Sequence, residues 1–216
     1  MANRRLVLAS ASPARLGVLR GAGIDPVVRV SGVDEDALAA TMTGATPAEL
    51  VTALASAKAD TVAADVATEH PDAVIVGCDS MLHIGGELTG KPGCAEAALR
   101  RWESMAGNNG ELLTGHAVVR LDQGIRTATA SGAQTTVIRF SAPSVAEIEA
   151  YVGTGEPLQV AGGFTLDGRG GWFVDGIDGD PSSVIGISLP LTRRLLAKVG
   201  VPVVSLWSPN AAHPAE

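Results

Sequence analysis

The stretch LVLASASPAR, from Leu6 to Arg15, places two serines and one arginine immediately after a short apolar run. Ser-Ala-Ser-Pro supplies turn chemistry and then a fixed φ at a first helical position. Turn chemistry accounts for Ser10 and Ser12 but gives no reason for Arg15. A second point of interest is VGCDS, where Asp79 follows the apolar run AVIVG, at the strand end where open α/β sheets gather ligands. A carboxylate there can bind a divalent cation, accept a proton from water, or simply cap a turn.

Other charged residues offer chemistry with less local specificity. The triplet Asp34-Glu35-Asp36 follows another short apolar run, and nothing in its spacing selects the carboxylate that points inward. Lys58 falls in an alanine-rich helical segment, where by itself it reads as a surface lysine. The segment GGELTGK, Gly85 to Lys91, satisfies the G-x-x-x-x-G-K part of a phosphate-binding loop. Pro92 defeats that reading, since the next position needs a hydroxyl for Mg²⁺ and a backbone N–H for phosphate.

Several chemistries are disfavoured. His70, His83, His116 and His213 show neither helical pairing nor H-E-x-x-H, which argues against histidine-based zinc chemistry. Ser80 and Ser188 lack the G-x-S-x-G elbow of a serine-triad hydrolase. Cys78 and Cys94 lie in unrelated contexts without ligand spacing and read as buried reduced thiols. Trp102, Trp172 and Trp207 read as core or helix-packing residues.

The elements that must position these groups alternate strand and helix patterns, the habit of an α/β domain. Strands are expected at Arg5–Ala9, Pro26–Val30 and Ala73–Gly77, with a hairpin turning at Gly85-Gly86. Two long extended runs between Leu112 and Phe140, joined by a polar connection, form an antiparallel pair and make the sheet mixed. Helices are expected over Pro13–Ala22, from Pro47 through an alanine-rich stretch, and over Cys94–Met105. The Ser144 region carries the N-cap and Glu147 pattern of a capping box. The last helix starts near Ser182 and runs to Gly200, interrupted at Gly186 and Pro190, whereas the glycine-dense run before it is irregular. Residues 1–208 read as one domain and 209–216 as a frayed tail.

The 216 residues are 46% hydrophobic and 18% charged, enough to bury a proper core. A formal net charge of −7 disfavours nucleic acid and anionic membrane as partners. No run is long and apolar enough for a membrane span, and no signal segment is recognisable, so a cytoplasmic protein is expected.

Taken in order, LVLASASPAR, SGVDED, ASAKAD, VIVGCDSMLHIGGELTGKP, LLTGHAVVR, EIEAYVGTGEPLQVAGGFTLDGRGG and SSVIGISLPL resemble the Maf family of nucleoside triphosphate pyrophosphatases. The resemblance implies a mixed, elongated α/β fold with a central cleft, similar to inosine-triphosphate pyrophosphatases. It also implies a homodimer, a divalent metal (Mg²⁺ or Mn²⁺), and conversion of a nucleoside triphosphate, standard or modified, to monophosphate and pyrophosphate. A house-cleaning role follows, with a division-control regulator of little turnover as the alternative. By the same resemblance, Ser10, Ser12 and Arg15 grip the triphosphate and Lys58 and Lys91 contact phosphates. Glu35 holds metal, joined by Asp79, which is also the proton acceptor.

Three positions depart from the family pattern. Ala14 replaces the first arginine of the loop, Ser80 stands for the threonine after the aspartate, and Asp167 aligns with a glutamine of the dTTP/UTP-cleaving branch. Serine keeps the hydroxyl. A carboxylate only accepts hydrogen bonds, which suits guanine or the cytosine amine better than uracil or thymine, unless Asp167 merely caps a turn. The whole reading requires Arg15, Lys58, Lys91, Glu35 and Asp79 to surround one polyanion.

Overall fold

The computed structural model describes residues 4–208, so the expected tail 209–216, His213 with it, lies outside the described residues. Its centre is a seven-stranded mixed sheet in the order β2-β1-β3-β5-β6-β7, with β4 paired to β3. These are β1 (Arg5–Ala9), β2 (Val27–Val28), β3 (Ala73–Ile84), β4 (Glu87–Thr89), β5 (Asn109–Asp122), β6 (Ile125–Phe140) and β7 (Val174–Asp178). Helices α1 (Pro13–Gly21), α2 (Glu35–Thr41), α3 (Pro47–Val66), α4 (Ala95–Met105), α5 (Val145–Gly153), α6 (Pro181–Ile185) and α7 (Leu189–Lys198) flank it. No described helix is long and apolar enough to cross a membrane.

The expected mixed α/β class holds, with informative differences. The second strand shrinks to two residues. The run Ala73–Gly77 continues to Ile84 as one largely buried strand, because the sheet pairs Val74 through His83 with β5. The polar connection expected between the long strands is itself strand, and only Gln123-Gly124 turn the chain, both at positive φ. The acidic triplet opens a helix that the sequence reading omitted, with Asp34 capping it through Ala37 N–H at 2.9 Å. The last helix is two, since Gly186 at φ +131° stops α6, while Pro190 sits harmlessly in the first turn of α7. Within the glycine-dense run, Val174–Asp178 forms the outer strand.

Three hydrophobic clusters hold the layers. One face of β1, β3 and β5 packs on α1 and α7 through Leu8, Val76, Cys78, Leu19 and Leu195. The opposite face packs on α3 through Val7, Ile75, Ala55 and Val62. Beyond Ser80 the sheet enters another core, where Trp102 meets Phe140, Tyr151 and Phe173 edge-on at 5.7–5.9 Å. Trp102 is therefore the core residue expected, but Trp172 is 86% exposed and Trp207 55% exposed, correcting the core reading of both. Likewise Cys78 is buried and free, whereas Cys94 is free but exposed at the start of α4, where an N-cap position faces solvent.

Strand register creates an opening at the centre of β3. On the edge opposite β5, β1 pairs with β3 only up to Ala9–Gly77, and β4 pairs only from Thr89–Leu82 onward. Cys78 to Met81 thus face a notch roughly 16 Å long along the strand. The chain leaves β1 at Ser10 and leaves β4 at Gly90 on either side of this gap.

Helix α3 can lie close over the notch because two side chains are missing beneath it. A Cβ on Gly77 would sit 2.3 Å from Ala55 O, and one on Gly115 would sit 2.0 Å from Val51 O. Both obstacles are helix backbone, which cannot rotate aside. We expect Gly115→Ala to destabilise the fold by roughly 2–4 kcal/mol in urea melts, while Gly132→Ala, whose nearest neighbour would be Leu191 Cδ1 at 3.8 Å, stays near neutral. Equal effects would show that the helix is not seated on Gly115.

Candidate active site

The pleat of β3 distributes the site over both faces of the sheet. Gly77 and Asp79 face α3, while Cys78 and Ser80 face α1 and α7. With β1 ended and β4 not yet begun, both faces open onto the notch.

On the α3 side, Lys58 Nζ donates to Asp79 Oδ1 at 2.6 Å and to Glu35 Oε1 at 2.8 Å. Lys58 and Asp79 are 7% and 5% exposed, whereas the Glu35 side chain is half exposed. The lysine read as a surface residue is therefore buried, because α3 settles onto the two glycines. Of the acidic triplet, Asp34 is consumed as a cap, and Glu35, in the first turn of α2, is the carboxylate turned to the site. An ammonium has three N–H donors, so Lys58 keeps one for a further acceptor. Burial raises the Asp79 carboxyl above the ordinary aspartate range, and Lys58 and Arg15 oppose that rise. Among the described residues Asp79 Oδ2 is buried without a hydrogen-bond partner.

On the other side, Arg15 is held by three acceptors. Its Nε donates to Gly186 O at 2.8 Å, Nη1 to Ser10 Oγ at 3.0 Å and Nη2 to Ser80 Oγ at 3.2 Å. A guanidinium has five N–H donors, which leaves one on each terminal nitrogen for an anion. Proton directions follow from the same contacts. Thr114 Oγ1 donates to Ser183 O at 3.1 Å, so its 3.0 Å partner Ser80 must supply the hydrogen between them. Ser80 thus donates to Thr114 and accepts from Arg15, with no proton left for a ligand. Ser10 accepts from Arg15 and from Ser12 N–H, and Ser12 caps α1 by accepting from Arg15 N–H. Among the described residues neither hydroxyl donates its own O–H.

Lys91 and Asp167 stand apart from these contacts. Lys91 is exposed and makes no ion pair among the described residues. Its loop leaves β4 at the far lip of the notch and is tied down by Gly162 N–H and Arg101 onto Gly90 O, and by Gly93 N–H onto Leu158 O. Asp167 is exposed on the loop that continues from Gly162 and Gly163, which Glu156 braces by accepting from Thr165 Oγ1 at 2.6 Å and Gly170 N–H at 3.2 Å. Among the described residues the Asp167 carboxylate makes no hydrogen bond, so no turn-capping contact accounts for it. Thr114, Ser183 and Gly186 lie within LLTGH and SSVIGISLPL but have no task legible in the sequence; a strand threonine gives no local signal of its partners.

Among the described residues no group of three His, Cys, Asp or Glu side chains comes together. The donor set is instead two carboxylates, one with an unpartnered buried oxygen, beside two fixed cations. In a protein of net charge −7, such fixed cations are groups that can neutralise an oxyanion locally.

Removing one partner of a buried pair strands the other charge. Lys58→Met is expected to cost roughly 3–5 kcal/mol in urea unfolding at pH 7, and Glu35→Gln, at a half-exposed position, under about 1 kcal/mol. Comparable losses in both variants would remove Asp79 as the buried partner.

Comparison with known proteins identifies the family of the chain. A family model described as Maf-like protein matches residues 5–199. The nucleoside triphosphate pyrophosphatase of Saccharopolyspora erythraea is 66% identical over 97% of this chain and 100% of its own length. That of Nocardia farcinica is 60% identical over 97% of this chain and 98% of its own, and that of Rhodococcus opacus 61% identical over 94% and 95%. The chain belongs to the Maf family.

Proposed function

We propose that the protein is a nucleoside triphosphate pyrophosphatase, cleaving between the α- and β-phosphates to release a monophosphate and pyrophosphate. The observation that carries the reading is one notch in the sheet edge holding a buried Lys58–Asp79 pair on one side and a three-point-anchored Arg15 on the other. The names of the relatives support the same activity.

Each residue has a task that its contacts permit. Arg15, with its two remaining N–H groups, and the free hydroxyls of Ser10 and Ser12 bind phosphate oxygens. Lys58 offers its third N–H to the same anion while opposing the rise that burial imposes on the Asp79 carboxyl. Lys91, uncommitted at the other lip, adds a cation where the polyphosphate extends. Ser80 serves the substrate through Arg15. Asp79 takes the proton of a water whose oxygen attacks the α-phosphorus, as the bond to the bridging oxygen breaks and pyrophosphate departs. Desolvation suits Asp79 to this, because it makes the carboxylate a stronger base than an exposed one.

Glu35 and Asp79 fit a hard divalent cation of the Mg²⁺ type, which takes one or two carboxylates and completes its shell with water and phosphate. The unpartnered Asp79 Oδ2 is the acceptor that argues for it. When bound, such a cation withdraws charge from the phosphates and acidifies water. Asp167, on its braced loop, reads an edge that donates hydrogen bonds, as guanine and the cytosine amine do.

The test is a panel of ordinary and modified triphosphates with Mg²⁺ or Mn²⁺ and product identification. Monophosphate plus pyrophosphate is expected; orthophosphate plus diphosphate would overturn the reading, and nucleotide affinity without product would identify a binding regulator instead. Asp79→Asn should lower kcat by roughly 10²–10⁴ while circular dichroism stays unchanged. Asp167→Gln should move kcat/KM toward dTTP and UTP, and a wild type already best on those two would refute the role given to Asp167.

A further inference from the structure

Arg15 is placed by its neighbours, and one of them is reached through a buried histidine outside the site. His116 lies on β5 opposite Cys78, fully buried on the same face as Thr114 and Ser80. Its Nε2 lies 2.8 Å from the Ser188 amide and its Nδ1 lies 3.0 Å from Thr114 O. An amide N–H can only donate, so Nε2 carries the lone pair and Nδ1 the proton that goes to Thr114 O. Protonation would set two N–H groups against each other. Burial pushes the imidazole down to about 4, with Arg15 lowering it and Asp180 and the Thr114 carbonyl opposing, so the ring remains the neutral acceptor.

The Ser188 amide has a particular need for that acceptor. Ser188 caps α7, its Oγ accepting from Leu191 N–H at 3.0 Å. In a capping box the third helical residue would return a carboxylate to the cap N–H, but here that residue is Leu191. His116 fills the role from another element. Two residues upstream, Gly186 O receives Arg15 Nε–H, and a Cβ on Gly186 would lie 3.2 Å from both Cγ and Nε of Arg15. The 186–188 segment is thus a strap clamped by His116 at one end and laid along the arginine at the other.

We propose that His116 is a positioning residue for triphosphate binding, fixing the 186–188 strap so that Gly186 aims Arg15 at the anion. It rests on the pyrophosphatase reading for its purpose, but its test needs no turnover.

Affinity for inorganic tripolyphosphate, titrated calorimetrically, is the readout. His116→Leu should weaken binding about tenfold and His116→Gln, which can still accept the amide proton, less than about threefold. In an Arg15→Ala background, His116→Leu should add less than about twofold, because the strap then has nothing to aim. Should His116→Leu fail to fold by circular dichroism, Gly186→Ala tests the other end, with the same weakening and the same dependence on Arg15. Independent, multiplying losses, or unchanged affinity in the single variant, would overturn the proposal. Wild-type turnover of triphosphates without strap-dependent tripolyphosphate affinity would sink this inference alone, whereas strap-dependent binding without pyrophosphate release would sink the enzymatic reading alone.

Discussion

The close seating of α3 on β3 and β5 is the constraint on which the rest of the site depends. Gly77 and Gly115 remove two side chains that would otherwise strike helix backbone. That approach buries Lys58 and places its ammonium 2.6 Å from Asp79. A charge pair at this depth is costly to desolvate and contributes little net stability, so its retention points to chemistry rather than to folding. Glu35 extends the pair toward solvent, giving the lysine a second carboxylate and the notch an acidic lip.

The opposite face solves a different problem. Arginine on a loop is mobile unless its donors are engaged, and ordering it when a ligand arrives costs affinity. Here Gly186, Ser10 and Ser80 take one donor set in advance, with Thr114 and Ser183 fixing the proton direction of Ser80. The remaining two donors stay available to a ligand. Both halves meet because β1 stops at Ala9 and β4 pairs only from Leu82 onward, so among the described residues no strand covers the middle of β3 on that edge. An unpaired strand segment is usually a hazard; in this fold it is recessed between two strands and lined by charge.

Much of this was legible along the chain. Apolar runs of strand length, Pro at first helical positions and the Ser144–Glu147 capping box are local signals, and β1, α1, α3, α4 and α5 appear where those signals put them. The acidic loop that became α2 was missed because Asp34 capping is a single hydrogen bond, indistinguishable by type from a solvated triplet. Strand β7 was missed because glycines hide its pattern, and its pairing partner β6 lies more than thirty residues away. Trp172 and Trp207 were misassigned for a related reason: residue type sets a preference for burial, but only the surrounding chain supplies the cover.

Sequence by itself determined the alternation of elements, the side chains able to carry charge or donate hydrogen bonds, and the order of motifs by which the family is known. Tertiary structure alone decided which of those groups act together. Lys58 and Asp79 are 21 residues apart, Arg15 and Gly186 171 apart, and no local pattern encodes contacts at such separations. The same structure left Lys91 and Asp167 exposed on neighbouring loops, free of the ion pairs that commit Lys58. The physical reason is that burial, hydrogen-bond direction and charge neighbourhood belong to packed surfaces, which exist only after distant segments have met.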